Sequence, residues 1–192
     1  MGAPPVPVSG IDRCDDVRIV RAVASVRDPE LPALTLADLG VVRDLRVQDG
    51  TVSVTVTPTY TGCPALAEMR ADLRRALADA GYPRVEVHTV LSPPWTTDWI
   101  TEDGRRKLTE AGIAPPAMRG PRPAGPTPLT LDPPHGRPAR STEATATATA
   151  EARCPRCGEP ATEELSRFGP TPCTALRRCP SCREPFEHMK AI

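Results

Sequence analysis

Two cysteine pairs near the C-terminal end, Cys154-Pro155-Arg156-Cys157 and Cys179-Pro180-Ser181-Cys182, are the residues whose type and spacing speak most directly of chemistry. Two intervening residues let both thiolates of a pair face one ion at about 2.3 Å, and two such pairs complete a tetrahedron, the arrangement of a zinc ribbon. The same soft ligands accept a single iron or an iron–sulfur cluster, so the pattern specifies zinc or iron and leaves the choice between them open. Cys173 lies six residues before Cys179 and reads either as a small buried apolar side chain or as an extra ligand.

Another cysteine, Cys63, follows Pro58-Thr59-Tyr60-Thr61-Gly62 and directly precedes Pro64, a favoured first residue of a helix. This predicts an N-cap position, where backbone amides and the helix dipole stabilise a thiolate and lower its pKa. Two readings stand side by side: a reactive or cluster-binding thiol, and an inert packed one. Asp28, Glu30 and Asp38, in Asp28-Pro29-Glu30 and Asp38-Leu39-Gly40, are candidate neighbours that could orient the thiol or add oxygen ligands. Capping and turn formation explain these carboxylates equally well.

No catalytic residue is assigned. His88 falls on a predicted strand and His135 and His188 fall far along the chain, so Cys63 has no histidine base at hand. A phosphate-binding Gly-rich loop, a dinucleotide fingerprint and a nucleophile elbow are all missing from the sequence. The expectation is a non-catalytic protein.

The elements that must carry these residues follow from periodicity. Asp12, Asp15 and Asp16 precede Val17, Val20, Val23 and Ala24, which predicts a helix within residues 11–27 that ends before Pro29. Val41 to Val47 and Thr51 to Thr57 flank Asp49-Gly50, a hairpin signal, with Val52, Val54 and Val56 on one face. After Pro64, the stripe Leu66, Met69, Leu73, Ala76, Leu77 and Ala80 predicts a helix covering that sheet, stopped by Gly81 and Pro83. A strand over 84–91 and a short helix opening at Thr101 and closing by Gly112 complete the unit. Trp95 and Trp99 are expected in its core, or else as an exposed partner-binding anchor.

The fold class expected is α+β, a small α/β domain followed by a linker and a zinc-ribbon-like module. Its boundaries are a disordered arm over 1–10, the α/β domain over 11–116, a disordered linker over 117–152 rich in Pro, Ala and Thr, and the four-cysteine module over 153–192. A segment of about forty residues can scarcely build a core without a metal staple.

Among 192 residues, 24 basic and 24 acidic side chains balance, so no whole-chain field draws the protein to nucleic acid. The first ten residues lack a basic-then-apolar leader and no apolar run is long enough to cross a bilayer, so membrane insertion and export are not expected. Seven cysteines in such a chain read as metal ligands or free thiols of a cytoplasmic protein.

The blocks Asp28-Pro29-Glu30, Asp38-Leu39-Gly40-Val41-Val42 and Thr57 to Pro64 resemble the SufT-like metal–sulfur cluster assembly domain. Pro93-Pro94-Trp95-Thr96-Thr97-Asp98-Trp99-Ile100, the Gly112 to Pro116 ending and the cysteine tail narrow the resemblance to the PaaD (PaaJ) family of phenylacetyl-CoA epoxidase accessory subunits. That resemblance implies a role in aerobic phenylacetate catabolism, assembling or maturing iron or iron–sulfur centres of the oxygenase or of its iron–sulfur flavoprotein reductase. A non-catalytic structural scaffold subunit is the alternative. It further implies that Cys63 matches the characteristic domain cysteine, with a transient iron or cluster as its cargo. Cys154, Cys157, Cys179 and Cys182 match the tail ligands, with Cys173 as a candidate fifth. The sequence departs from the pattern in its long linker and in Ala191, where relatives often carry a cysteine. Pairing of Cys63 with a tail cysteine and pairing across a homodimer both remain open.

Overall fold

The structure is a computed structural model that describes residues 16–117 and 152–191. The expected arm over 1–10, nearly all of the expected linker, and Cys14 and His135 lie outside the described residues.

The first helix, α1 (Val17–Ser25), begins where Asp16 accepts a 2.9 Å hydrogen bond from the Arg18 amide, satisfying an amide that the helix itself cannot. It buries Ile19 and Val23. The expected start before Asp16 falls outside the described residues, and the end before Pro29 agrees with the sequence reading. The Tyr82 hydroxyl, just past the second helix, bonds to Asp16 and accepts from Arg18 at 2.9 Å, tying the two helices together.

Strands β1 (Val42–Gln48) and β2 (Thr51–Val56) form the expected antiparallel hairpin. Asp49 and Gly50 turn it with φ of 50° and 71°, the left-handed pair that the right-handed twist of the strands demands. Val52, Val54 and Val56 are fully buried. Helix α2 (Leu66–Asp79) lays Met69, Leu73 and Leu77 on the core and carries the chain to β3 (Val85–Thr89), which pairs parallel with β2. The resulting sheet has the order β1-β2-β3.

Trp95 is buried and its indole donates to the Leu39 carbonyl at 2.9 Å, whereas Trp99 is half-buried beneath the Arg43 guanidinium, 3.5 Å from the ring centre. Both therefore serve the first domain, as the core reading expects. Helix α3 (Glu102–Glu110) is capped by Thr101, whose hydroxyl accepts from the Gly104 amide at 2.9 Å.

The chain then enters β4 (Ile113–Ala114), which belongs to a different sheet. β4 pairs parallel with β7 (Pro185–Met189), which is antiparallel to β6 (Thr174–Arg178), itself antiparallel to β5 (Glu163–Ser166). The order is β4-β7-β6-β5, so the last residues of the first unit supply an edge strand to the sheet of the cysteine tail. Met189 at the end of β7 is fully buried within the first unit's core cluster. Two sheets and three helices thus form an α+β fold whose parts share side chains and strands.

Gly40 shows how closely the loops pack. Its φ is +67°, and a Cβ there would lie 2.5 Å from the Trp99 carbonyl oxygen and 2.8 Å from the Trp99 Cβ. Gly40→Ala therefore combines a strained backbone with a clash against main chain. It should lower the free energy of unfolding by about 2 kcal/mol or more, as a leftward shift of the urea midpoint would record.

Candidate metal and thiol sites

The tail sheet brings two turns together at one end. In the first, the Cys154 amide donates to Glu159 O and the Gly158 amide to Cys154 O, each at 2.9 Å. In the second, the Cys179 amide donates to Glu184 O at 3.0 Å and the Cys182 amide points at Cys179 Sγ from 3.5 Å. Both turns close on a left-handed residue four places after their first cysteine, Gly158 at φ 76° and Arg183 at φ 62°. The repeat of this geometry delivers all four sulfurs to one point.

Cys154 Sγ lies 3.7 Å from Cys182 Sγ and Cys157 Sγ lies 3.5 Å from Cys179 Sγ, and the four sulfurs all fall within 4.8 Å of one another. A tetrahedron of sulfurs about 2.3 Å from a central ion has edges of about 3.8 Å, so the quartet fits a thiophilic ion. Cys154 and Cys179 are buried, whereas Cys157 and Cys182 face solvent. Burial pushes the Cys179 thiol up, but the Cys182 amide and the neighbouring thiols outweigh it and bring the group down to about 7. Cys157 accepts from the Glu159 amide, which favours its thiolate, yet the surrounding cysteines push it up to about 12. One thiolate thus forms readily and resists the formation of others until a cation neutralises the group.

Cys173 takes no part in this quartet. It is 4% exposed, and its Sγ lies 3.4 Å from the hydroxyl of Thr59, a residue of the loop that carries Cys63. The reading as an extra ligand of the tail ion therefore has no geometric support here, and the packing that Cys173 does make is against the first domain. Its place outside both C-x-x-C spacings was the available signal.

Cys63 is 7% exposed at the end of the Thr57 to Gly62 loop, with its amide bonded to Tyr60 O at 3.3 Å. The expected N-cap needs correction. The cap of α2 is Ala65, two residues later, and the Cys63 thiol is raised rather than lowered. Burial is the main cause; the Ala65 amide acts the other way, and the charges of Glu30, Cys173 and Asp28 push the thiol further up. The charges of Glu30 and Asp28 thus oppose ionisation of the thiol. Asp28 also builds its own turn, with Oδ1 accepting from the amides of Glu30 at 2.9 Å and Leu31 at 2.8 Å.

Asp38 is engaged elsewhere. Lys107 Nζ lies 3.1 and 2.9 Å from its two oxygens, the carboxylate accepts from the Thr35 amide at 2.8 Å, and the Asp38 amide donates to the Thr35 hydroxyl at 3.1 Å. Nothing in the spacing of Asp38 and Lys107, 69 residues apart, announced that ion pair.

Residues 138–190 match the family profile described as the PaaD zinc beta ribbon domain, and residues 16–90 match that of the iron-sulfur cluster assembly protein family. A protein of Escherichia coli K12, provisionally named as a component of 1,2-phenylacetyl-CoA epoxidase, is 40% identical over 170 residues that cover 88% of this chain and 89% of that one. This chain belongs to the PaaD family. The Fe-S protein maturation auxiliary factor YitW of Bacillus subtilis is 40% identical over 84 residues, 42% of this chain and 79% of that protein. A solved domain of unknown function, DUF59, from Bacillus anthracis is 26% identical, covers 47% of this chain and 88% of its own, and superposes with a TM-score of 0.45. Within the PaaD family match, the ribbon profile includes all four quartet cysteines, and the assembly profile includes Cys63 and Asp28, Glu30 and Asp38.

Two outcomes follow for the quartet. Removing a metal from it with a chelator under reducing conditions should sharply lower hydrogen-exchange protection in β6 and β7 while β1 to β3 keep theirs, because the apolar cluster at the cysteine end is small. Arg183→Gly should tighten metal retention in a competition assay, by up to about 1 kcal/mol, because glycine adopts the left-handed conformation without the cost a Cβ brings.

Proposed function

We propose that this chain is a non-catalytic accessory protein of the phenylacetyl-CoA epoxidase system, in which it assembles or matures iron or iron–sulfur centres of the oxygenase components. The iron–sulfur flavoprotein reductase is its partner in this reading, and the cytoplasm its compartment. The observation that carries the proposal is a division among the sulfurs. Four are gathered within 4.8 Å in a closed quartet, whereas Cys63 stands outside it as a free, buried thiol.

A closed set of four thiolates is what a structural ion requires, and zinc is the ion we assign to it. Cys154, Cys157, Cys179 and Cys182 would hold it, and it would supply a cross-link rather than a reaction. Cys63 stands outside that set and would take up iron or a cluster as cargo, since thiolate is a soft ligand for either. The kinship with the Escherichia coli epoxidase component supports the epoxidase system, and the kinship with Fe-S maturation factors over the first domain supports cargo handling. No described helix is long and apolar enough to cross a membrane, which agrees with a role among soluble components.

Cys63→Ser is the test. Co-expressed with the oxygenase components, it should fold and keep its tail metal while the reductase or oxygenase accumulates with less than half its normal iron. Full iron occupancy in those partners would refute the proposal.

A scaffold reading is favoured by a separate observation. Phe168 is 79% exposed and Leu165 48% exposed beside and on β5, the outer strand of the tail sheet, which offers an apolar edge to another chain. A scaffold must remain stoichiometric in the active complex and must tolerate Cys63→Ser, so purification of that complex separates the readings.

A further inference from the structure

Cys63 and Cys173 are 110 residues apart in sequence and belong to parts of the chain that match different families, yet the fold brings them to one place. Four contacts fix this arrangement. β4 pairs with β7 through Ile113 with Glu187 and Ala114 with His188, which joins the tail sheet to the end of the first domain. Met189, the last residue of β7, is fully buried in the first domain's core. Immediately after it, the Lys190 amide donates to Cys173 O at 2.9 Å, and Cys173 Sγ meets Thr59 Oγ1 at 3.4 Å. Thr59 and Cys63 are four residues apart on the same short loop, and both thiols are buried against it. Glu30 and Asp28 act on both sulfurs.

We infer that Cys63 and Cys173 form one two-sulfur site for a divalent thiophilic cation, with Glu30 as its oxygen donor and the tail contributing the second thiolate in cis. This rests on the reading of Cys63 as a cargo-holding thiol and names the group that completes it. Binding displaces the two thiol protons to solvent and involves no change of oxidation state.

The composition of the site explains why it should carry cargo rather than retain a structural ion. Its potential anions outnumber its cations: the charges of Glu30 and Asp28 act on both thiols, while Lys190 is the cation that acts on Cys173. Desolvation disfavours charge on each of them until a cation arrives. Among the described residues, only the tail quartet has three or more ligand atoms already within 4.8 Å of one another. The Cys63 site is thus looser, with open positions that a receiving protein's ligands can enter. A cavity of about 260 Å³ lined in part by Thr57, Thr59, Tyr60 and Trp95 borders the same loop.

The experiment uses the full chain with its tail quartet filled by one equivalent of zinc, which cobalt does not readily displace because zinc binds such ligands more tightly. Cobalt(II) is then titrated in under anaerobic conditions. A second ion per chain should bind with sulfur-to-cobalt charge-transfer absorption. Cys63→Ser and Cys173→Ser should each weaken that step by at least about tenfold and halve its charge-transfer intensity, with a smaller loss in Glu30→Gln. Retained zinc and an unchanged thermal midpoint would show that each variant is folded. In the unaltered chain, cobalt should protect Cys63 and Cys173 from alkylation in parallel, a readout that requires no substitution. If Cys63→Ser abolishes the second site while Cys173→Ser leaves it intact, or if cobalt protects Cys63 alone, the paired site is overturned and the cargo role of Cys63 survives. If neither substitution matters, or no second ion binds, both fall.

Discussion

A sheet of three short tail strands has almost no apolar interior of its own. The cluster at its cysteine end comprises Ala114, Ala152, Cys154, Cys179 and Phe186, of which only Phe186 is large and two are the sulfurs themselves. Burial on that scale offsets the ordering entropy of only a few residues. Convergence of four thiolates on one ion therefore has to supply the cohesion that packing supplies elsewhere, and the twin turns at Gly158 and Arg183 exist to present those thiolates.

The tail is also not independent of what precedes it. β4 lends it an outer strand, Met189 anchors it in the larger core, and Cys173 Sγ meets Thr59 Oγ1 at 3.4 Å. Through these contacts a metal-dependent module is held against the loop bearing the free thiol. Stability at one sulfur group is thereby coupled to geometry at the other.

Local signals in the sequence were strong where one element decides its own structure. The Asp49-Gly50 hairpin, the α2 stripe and the Thr101 cap could be read because turn chemistry and helical spacing act over a few residues. The quartet could be read for the same reason, since C-x-x-C spacing encodes its geometry. Long-range consequences were not legible. A two-residue strand such as β4 has no periodicity to detect, and the pairing of Asp38 with Lys107 and of Cys173 with Thr59 arises only when distant segments dock. The pKa expected for Cys63 failed on the same ground, because position at a helix start is local whereas burial depends on everything that packs over it.

Ala114 and Ala152 occupy a single apolar cluster, so the places where the chain leaves the first unit and re-enters the second are neighbours. The stretch between them has no span to bridge. Residues could be inserted or deleted there without displacing either anchor, which frees this connection to vary in length among related chains while the architecture on both sides stays the same.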